Sequence, residues 1–83
     1  MSRFDHARRL SSLKVGDQGR VVRVMRDHGD RADRLGALGV TPGAPVSVLQ
    51  VFPSVVFLCD QTELAIESAV AQSVLIELQP DGH

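Results

Sequence analysis

The chain reads Leu35-Gly36-Ala37-Leu38-Gly39-Val40-Thr41-Pro42-Gly43 near its centre, and this segment predicts a short helix, the end of that helix and a turn into a strand. Leu35 and Leu38 are three residues apart and share one helix face. Gly39 can adopt the left-handed backbone that ends a helix, and Pro42 presets φ for the turn. A helix of one or two turns does not persist alone. We therefore expect it to pack its leucines against a sheet, as a plug or lid.

Valine-rich runs elsewhere in the chain predict a mainly β fold. They fit short strands at residues 18–25, 46–52, 55–59, 63–66 and 74–78, with one helical turn within residues 67–73. Closely spaced turns and the need to remove exposed sheet edges favour a small barrel of about five strands, capped by the short α-helix. The pattern alone reaches only as far as a small β-barrel or sandwich with a short helix. A two-layer α+β fold is the alternative. Residues 1–9 are expected to form a loose tail or a short helix, and residues 79–83 a C-terminal tail.

The composition indicates one small domain in a reducing compartment. The chain has 83 residues, of which 43% are hydrophobic, and its one cysteine excludes an internal disulfide. A domain of this size buries only about 60–65% of its unfolded surface. The first residues are polar, and no apolar run approaches the ~20 residues of a membrane helix. We therefore expect a cytoplasmic protein without direct membrane insertion.

Charge is distributed unevenly along the chain. All nine basic residues and five of the ten acidic ones lie within residues 1–34, whereas residues 35–83 carry the other five acids and no lysine or arginine. An arginine-bearing patch formed by Arg20, Arg23, Arg31 and Arg34 is therefore a hypothesis. The alternative is that these side chains are solvated and have no partner.

Sequence signatures of catalysis are not found. No glycine-rich dinucleotide or phosphate-binding motif occurs, and no cysteine pair has zinc-finger spacing. His6, His28 and His83 have no neighbours in sequence that would orient an imidazole as a base. The sequence therefore predicts no enzymatic activity.

Metal binding is a weaker hypothesis. His6, His28, Cys59 and Asp60 carry ligand types that suit transition metals, but no two histidines or cysteines lie within five positions of each other. A site within one chain would therefore depend entirely on the fold, and the alternative for Cys59 is a small hydrophobic core residue. We expect no required cofactor, and only weak or adventitious binding of a divalent transition metal.

Nucleic acid is not an expected partner. Single-strand binding uses aromatic side chains beside a basic groove, yet the chain has no tryptophan or tyrosine and only three phenylalanines. Phe52 and Phe57 alternate with valines, and we expect both in the core. Protein recognition is the function that remains.

Further landmarks surround the central segment, and their order resembles a known family. The segment from Arg31 to Gly43 follows the pattern Arg-x-x-Arg-Leu-x-x-Leu-Gly-Val-x-Pro-Gly. The other landmarks are Leu10-Ser11-Ser12-Leu13-Lys14-Val15-Gly16, Gly19-Arg20-Val21-Val22-Arg23-Val24 and Val46-Ser47-Val48-Leu49. From Leu10 to Leu78 this order resembles the FeoA family, small cytoplasmic proteins associated with bacterial ferrous iron uptake. A related domain occurs at the C-terminus of some iron-dependent repressors.

The resemblance implies a fold and a partner. The fold is an SH3-like barrel over residues 10–78, and the partner is the FeoB-like membrane transporter, whose cytoplasmic part hydrolyses GTP. The chain would dock on that part and modulate its activity. A transition-metal-responsive module acting with a DNA-binding repressor is the alternative. Residues expected at the partner surface are Arg31, Arg34, Leu35, Leu38, Thr41 and Pro42.

Three features qualify this expectation. The usual cluster of successive arginines at the start of the helix is thinned to Arg31-Ala32-Asp33-Arg34, which weakens purely electrostatic docking. For Leu35 and Leu38 we expect core packing first, with a hydrophobic cleft between helix and barrel as the functional alternative. The hairpin from Val51 to Leu58 is apolar apart from Pro53-Ser54, and such a strand pair is typical of a homo-oligomer interface.

Overall fold

A computed structural model of the chain describes residues 7–25 and 30–79, and in these residues the fold is mainly β, as predicted. The side chains of residues 30–32 lie outside the description. The elements are β1 (Ala7–Arg9), a 3-10 turn (Leu10–Ser12), β2 (Gln18–Val24), α1 (Asp30–Ala37), β3 (Pro45–Gln50), β4 (Val55–Cys59), β5 (Thr62–Ile66), α2 (Ser68–Ala71) and β6 (Val74–Leu78).

The strands form one antiparallel sheet in the order β1-β6-β2-β3-β4-β5. It has six strands rather than the five predicted, because residues 7–9 form β1 instead of a tail or short helix. Ala7 pairs with Glu77 and Arg9 with Leu75 of β6. The sequence Ala7-Arg8-Arg9 does not by itself indicate a strand. These residues form one because β6 offers them an edge with which to pair. The order leaves β1 and β5 at the two ends of the sheet.

Strand β2 is irregular in its pairing with β6, where the register shifts between Val21 and Arg23. Gly19 lies close against β6: a Cβ atom there would collide with the backbone oxygen of Glu77 and come within 2.8 Å of the Ile76 side chain. The glycine is therefore needed for the close approach of two strands.

The core is a cluster of aliphatic side chains around one aromatic ring. Phe57 is fully buried, as predicted. The other buried residues are Leu10, Leu13, Val21, Leu35, Val40, Val46, Val48, Val55, Cys59, Leu64, Ala71, Val74 and Ile76. Two predicted core residues are outside it: Phe52 is 83% exposed and Leu38 is 51% exposed. Phe52 lies in the loop between β3 and β4 rather than in β3, because β3 ends at Gln50.

Candidate partner-binding groove

The backbone at the end of α1 determines which of Leu35 and Leu38 is buried. The Val40 N–H donates to the Leu35 carbonyl oxygen at 2.9 Å, and the Gly39 N–H donates to that of Gly36 at 3.0 Å. Gly39 has φ of +98°. These bonds form a Schellman motif, whose hydrophobic contact joins Leu35 to Val40, and both side chains are buried. The helix is thus anchored by Leu35, while Leu38, one turn later, remains half exposed.

The turn after the helix also follows the sequence prediction. Gly43 has φ of +92°, and the Ala44 N–H donates to the Thr41 carbonyl oxygen at 2.9 Å. Pro42 and Gly43 therefore occupy the two central positions of a type II turn. This turn leads directly into β3. Gly36, by contrast, has no close neighbour, since a Cβ added there would meet nothing within 4 Å.

A groove runs between α1 and β5, and we call it the α1–β5 groove. It encloses about 420 Å³ and is lined by Arg34, Leu35, Leu38, Ala65, Ile66, Glu67 and Val70. Leu35 is buried, Leu38 is half exposed, and Ile66 and Val70 are partly buried. Arg34 and Glu67 are exposed and bring charges of opposite sign to the two sides. Five of the seven lining residues have apolar side chains, and a concave surface that combines apolar side chains with a few polar groups is a candidate binding site.

The groove includes half of the partner residues predicted from sequence. Arg34, Leu35 and Leu38 line it. Thr41 and Pro42 are exposed on the adjoining turn and do not belong to the lining. The side chain of Arg31 lies outside the described residues. The hypothesis of a cleft between helix and barrel therefore has a definite location.

Sequence reasoning missed the second wall of the groove. Ala65, Ile66 and Glu67 come from the end of β5 and the residue after it, and Val70 comes from α2. The sequence does place Ile66 at the end of a strand, but it gives no distance between that strand and the Leu38 segment. Such a contact between residues about thirty positions apart depends on the sheet topology.

Two residues of the hypothesised arginine patch, Arg20 and Arg34, line separate depressions. The Arg20 guanidinium donates from Nη1 to the Gly43 carbonyl oxygen at 2.9 Å, and Arg20 lines a separate depression together with Asp60. Arg34 lines the α1–β5 groove. Arg23 is exposed on β2. Arg20 is therefore committed to holding the Pro42-Gly43 turn against β2.

Of the four metal-ligand candidates, two are described. His6 and His28 lie outside the described residues, and Cys59 and Asp60 are neighbours at the end of β4. Within residues 7–25 and 30–79, no group of three or more potential ligands comes together. The Cys59 thiol is buried, and its Sγ lies 3.4 Å from the Gly39 carbonyl oxygen. Burial raises the pKa of the Cys59 thiol above its ordinary value, and the adjacent Asp60 carboxylate adds to this effect.

The β3–β4 hairpin exposes further apolar surface. Phe52 is 83% and Leu49 42% exposed. Val15 is also exposed. It lies near this hairpin, since the adjacent Gly16 N–H donates to the Val48 carbonyl oxygen at 2.9 Å. Homo-oligomerisation through this hairpin stays a prediction. In the described part of the chain, neither helix has the length or the apolar run that a bilayer span requires.

Comparisons with known proteins agree with this fold. The family model of the FeoA domain matches residues 8–78. The crystal structure of the iron uptake regulatory protein FeoA is 28% identical and covers 88% of this chain and 99% of its own, with a TM-score of 0.79. A search of curated proteins found no significant match.

Two more distant structures show the fold alone. FeoA of Stenotrophomonas maltophilia, a prokaryotic SH3 domain protein solved with zinc, is 21% identical, covers 88% of this chain and 96% of its own, and has a TM-score of 0.77. IdeR of T. acidophilum is 22% identical and covers 88% of this chain but 34% of its own, with a TM-score of 0.81. The predicted SH3-like fold is confirmed. This chain belongs to the FeoA domain family, which is associated with ferrous iron transport.

Proposed function

We propose that this chain is a cytoplasmic, non-catalytic accessory protein of ferrous iron uptake, which docks through the α1–β5 groove on the cytoplasmic GTPase region of a FeoB-like transporter. The observation that carries the proposal is the position of Leu38, an apolar side chain that is 51% exposed on the wall of a groove of about 420 Å³. Membership of the FeoA family supplies the link to ferrous iron transport.

Leu35 in α1 and Leu38 just after its end support docking because the fold buries only the first of them. Leu35 is 2% exposed and anchors the helix, whereas Leu38 contributes little to the core. Transferring an exposed leucine side chain into an interface is favourable by about 1.5–3 kcal/mol when burial is complete. Leu38 is half buried already, so a partner that covers it would gain about half of this amount. Its place in the groove makes it the natural anchor for a partner side chain.

The proposed mechanism is a shift in the population of transporter conformations. A small domain that binds one conformation more tightly than another favours that conformation by the difference in binding free energy. A difference of 1.4 kcal/mol would change the ratio of two states tenfold. Modulation of GTP turnover then follows from docking and needs no reacting group on this chain.

Two matched substitutions test the docking surface. Leu38→Asp places a carboxylate in the groove, and Leu49→Asp places one at a leucine of comparable exposure on β3. Isothermal titration calorimetry with the purified cytoplasmic region of the transporter should give at least a tenfold loss of affinity for the first variant and a change within twofold for the second. Equal effects of both substitutions, or no binding by the wild type, would contradict the proposal.

The alternative role with a DNA-binding repressor has support from fold alone. IdeR shares 22% identity with this chain, and that level of likeness does not assign a partner. Calorimetry with a separate repressor preparation is the direct control, and we expect no heat of binding. Binding to the repressor in place of the transporter would reverse the assignment.

A further inference from the structure

The β5 side of the α1–β5 groove is an open edge of the sheet. Strand β5 is last in the order β1-β6-β2-β3-β4-β5, and no strand among residues 7–25 and 30–79 pairs with its outer side. Exposed strand edges present rows of free main-chain donors and acceptors, which a further strand can pair with. Ala65 and Ile66 belong to this edge and line the groove.

The turn between β4 and β5 determines which residues of β5 point outward. Asp60 and Gln61 have φ of +49° and +75° and form a two-residue type I′ turn that joins Cys59 to Thr62. In such a turn the two flanking residues form a hydrogen-bonded pair, and hydrogen-bonded pairs then alternate with non-bonded ones along the ladder.

This alternation gives Ala65 a particular role. Leu64 opposite Phe57 and Ile66 opposite Val55 are hydrogen-bonded pairs, and Ala65 opposite Val56 is a non-bonded pair between them. The N–H and C=O groups of Ala65 therefore point away from β4, towards the outer edge. Its side chain is small and exposed, so the backbone of another chain can approach closely.

We propose that the α1–β5 groove binds an extended segment of its partner by strand addition to β5, with Ala65 supplying main-chain hydrogen bonds. This inference rests on the proposed function, since the segment is assigned to the cytoplasmic region of the transporter. Main-chain bonds of this kind give affinity, and pockets for alternate side chains give specificity. A helix would not satisfy this edge, because its own backbone groups are already paired.

The charges and apolar residues of the groove specify the chemistry of the segment. An aliphatic side chain entering the groove would contact Leu38, Ile66 and Val70. An acidic residue on the side of α1 would face Arg34, whereas an acid on the side of β5 would meet the exposed carboxylates of Glu63 and Glu67. The segment is therefore extended, carries an aliphatic residue and presents an acid towards the helix.

The test is the pair of substitutions Ala65→Pro and Ala65→Ser, measured by calorimetry with the cytoplasmic region of the transporter. Proline removes the outward N–H and is tolerated on edge strands where that N–H faces solvent. Serine keeps the main-chain N–H and also has a small side chain. We expect at least a tenfold loss of affinity for the first variant and a change within twofold for the second, with unchanged far-UV circular dichroism in both.

Amide hydrogen exchange provides a second measurement on the wild type, in case Ala65→Pro does not fold. The Ala65 amide should exchange quickly in the free protein and become protected in the complex. Binding that is retained by Ala65→Pro, or an Ala65 amide that stays unprotected in the complex, would overturn strand addition while leaving the proposed function intact. Self-association through β5 that Ala65→Pro abolishes, with transporter binding unaffected, would also overturn it. Absence of binding by the wild type would contradict both strand addition and the proposed function.

Discussion

Leu35 and Leu38 provide a direct separation of folding from recognition, because they are only three residues apart, the first in α1 and the second just after its end, and differ sharply in burial. Leu35 is 2% exposed and Leu38 is 51% exposed. Truncating a buried leucine to alanine costs about 2–5 kcal/mol, whereas full burial of a leucine side chain contributes about 1.5–3 kcal/mol and Leu38 is only half buried. Leu35→Ala should therefore lower the free energy of unfolding by about 2–5 kcal/mol, and Leu38→Ala should lower it by about 1 kcal/mol.

The loss at Leu35 is large for a domain of this size. At about 0.05–0.15 kcal/mol per residue, an 83-residue domain has a total stability of about 4–12 kcal/mol. Because the chain lacks tryptophan and tyrosine, the assay is urea unfolding followed by far-UV circular dichroism. The slope against urea should be equal for both variants. Equal losses of stability, or a larger loss for Leu38→Ala, would refute the assignment of Leu35 to the core and Leu38 to the groove.

Other substitutions test particular elements of the fold. Gly19→Ala should lower the free energy of unfolding by about 1–3 kcal/mol, because the new methyl group collides with the β6 backbone; its matched control, Gly36→Ala, has open space and should raise it by about 0.5–1 kcal/mol. Equal effects in urea unfolding would contradict the close approach of β2 to β6. Gln61→Gly should raise the free energy of unfolding by about 0.5–1 kcal/mol, because glycine adopts positive φ without strain. A destabilised variant would argue against the type I′ turn. The pKa of the Cys59 thiol is raised in the folded state by burial, so its contribution is complete below the pKa of the unfolded state and is lost as pH rises through the folded value. Wild-type stability should accordingly fall more steeply than that of Cys59→Ala as the pH rises above the unfolded-state pKa of about 8.5, and parallel curves would contradict this.

Local sequence determined those parts of the fold that depend on backbone chemistry. Gly39 and Gly43 take positive φ where a helix end and a type II turn require it, and the predicted bounds of the strands at residues 55–59 and 74–78 agree with β4 and β6. These features depend on the conformational freedom of glycine, the fixed φ of proline and runs of β-branched residues.

Features that depend on distant partners could not be predicted. The charged residues of β1 become a strand only because β6 offers an edge. Phe52 and Leu38 are hydrophobic residues of the kind found in cores, yet both are exposed. Phe52 follows the end of β3, and Leu38 follows the end of α1. The second wall of the groove, formed by β5 and α2, follows from topology, which no local pattern encodes.

The most direct test of the central claim is a nuclear magnetic resonance titration of the labelled chain with the cytoplasmic region of the transporter. We predict that amide shifts and line broadening concentrate at Arg34, Leu38, Ala65 and Val70, with Leu49 and Phe52 unaffected. Perturbations centred on the β3–β4 hairpin, or a spectrum that does not change at saturating partner concentrations, would contradict the account.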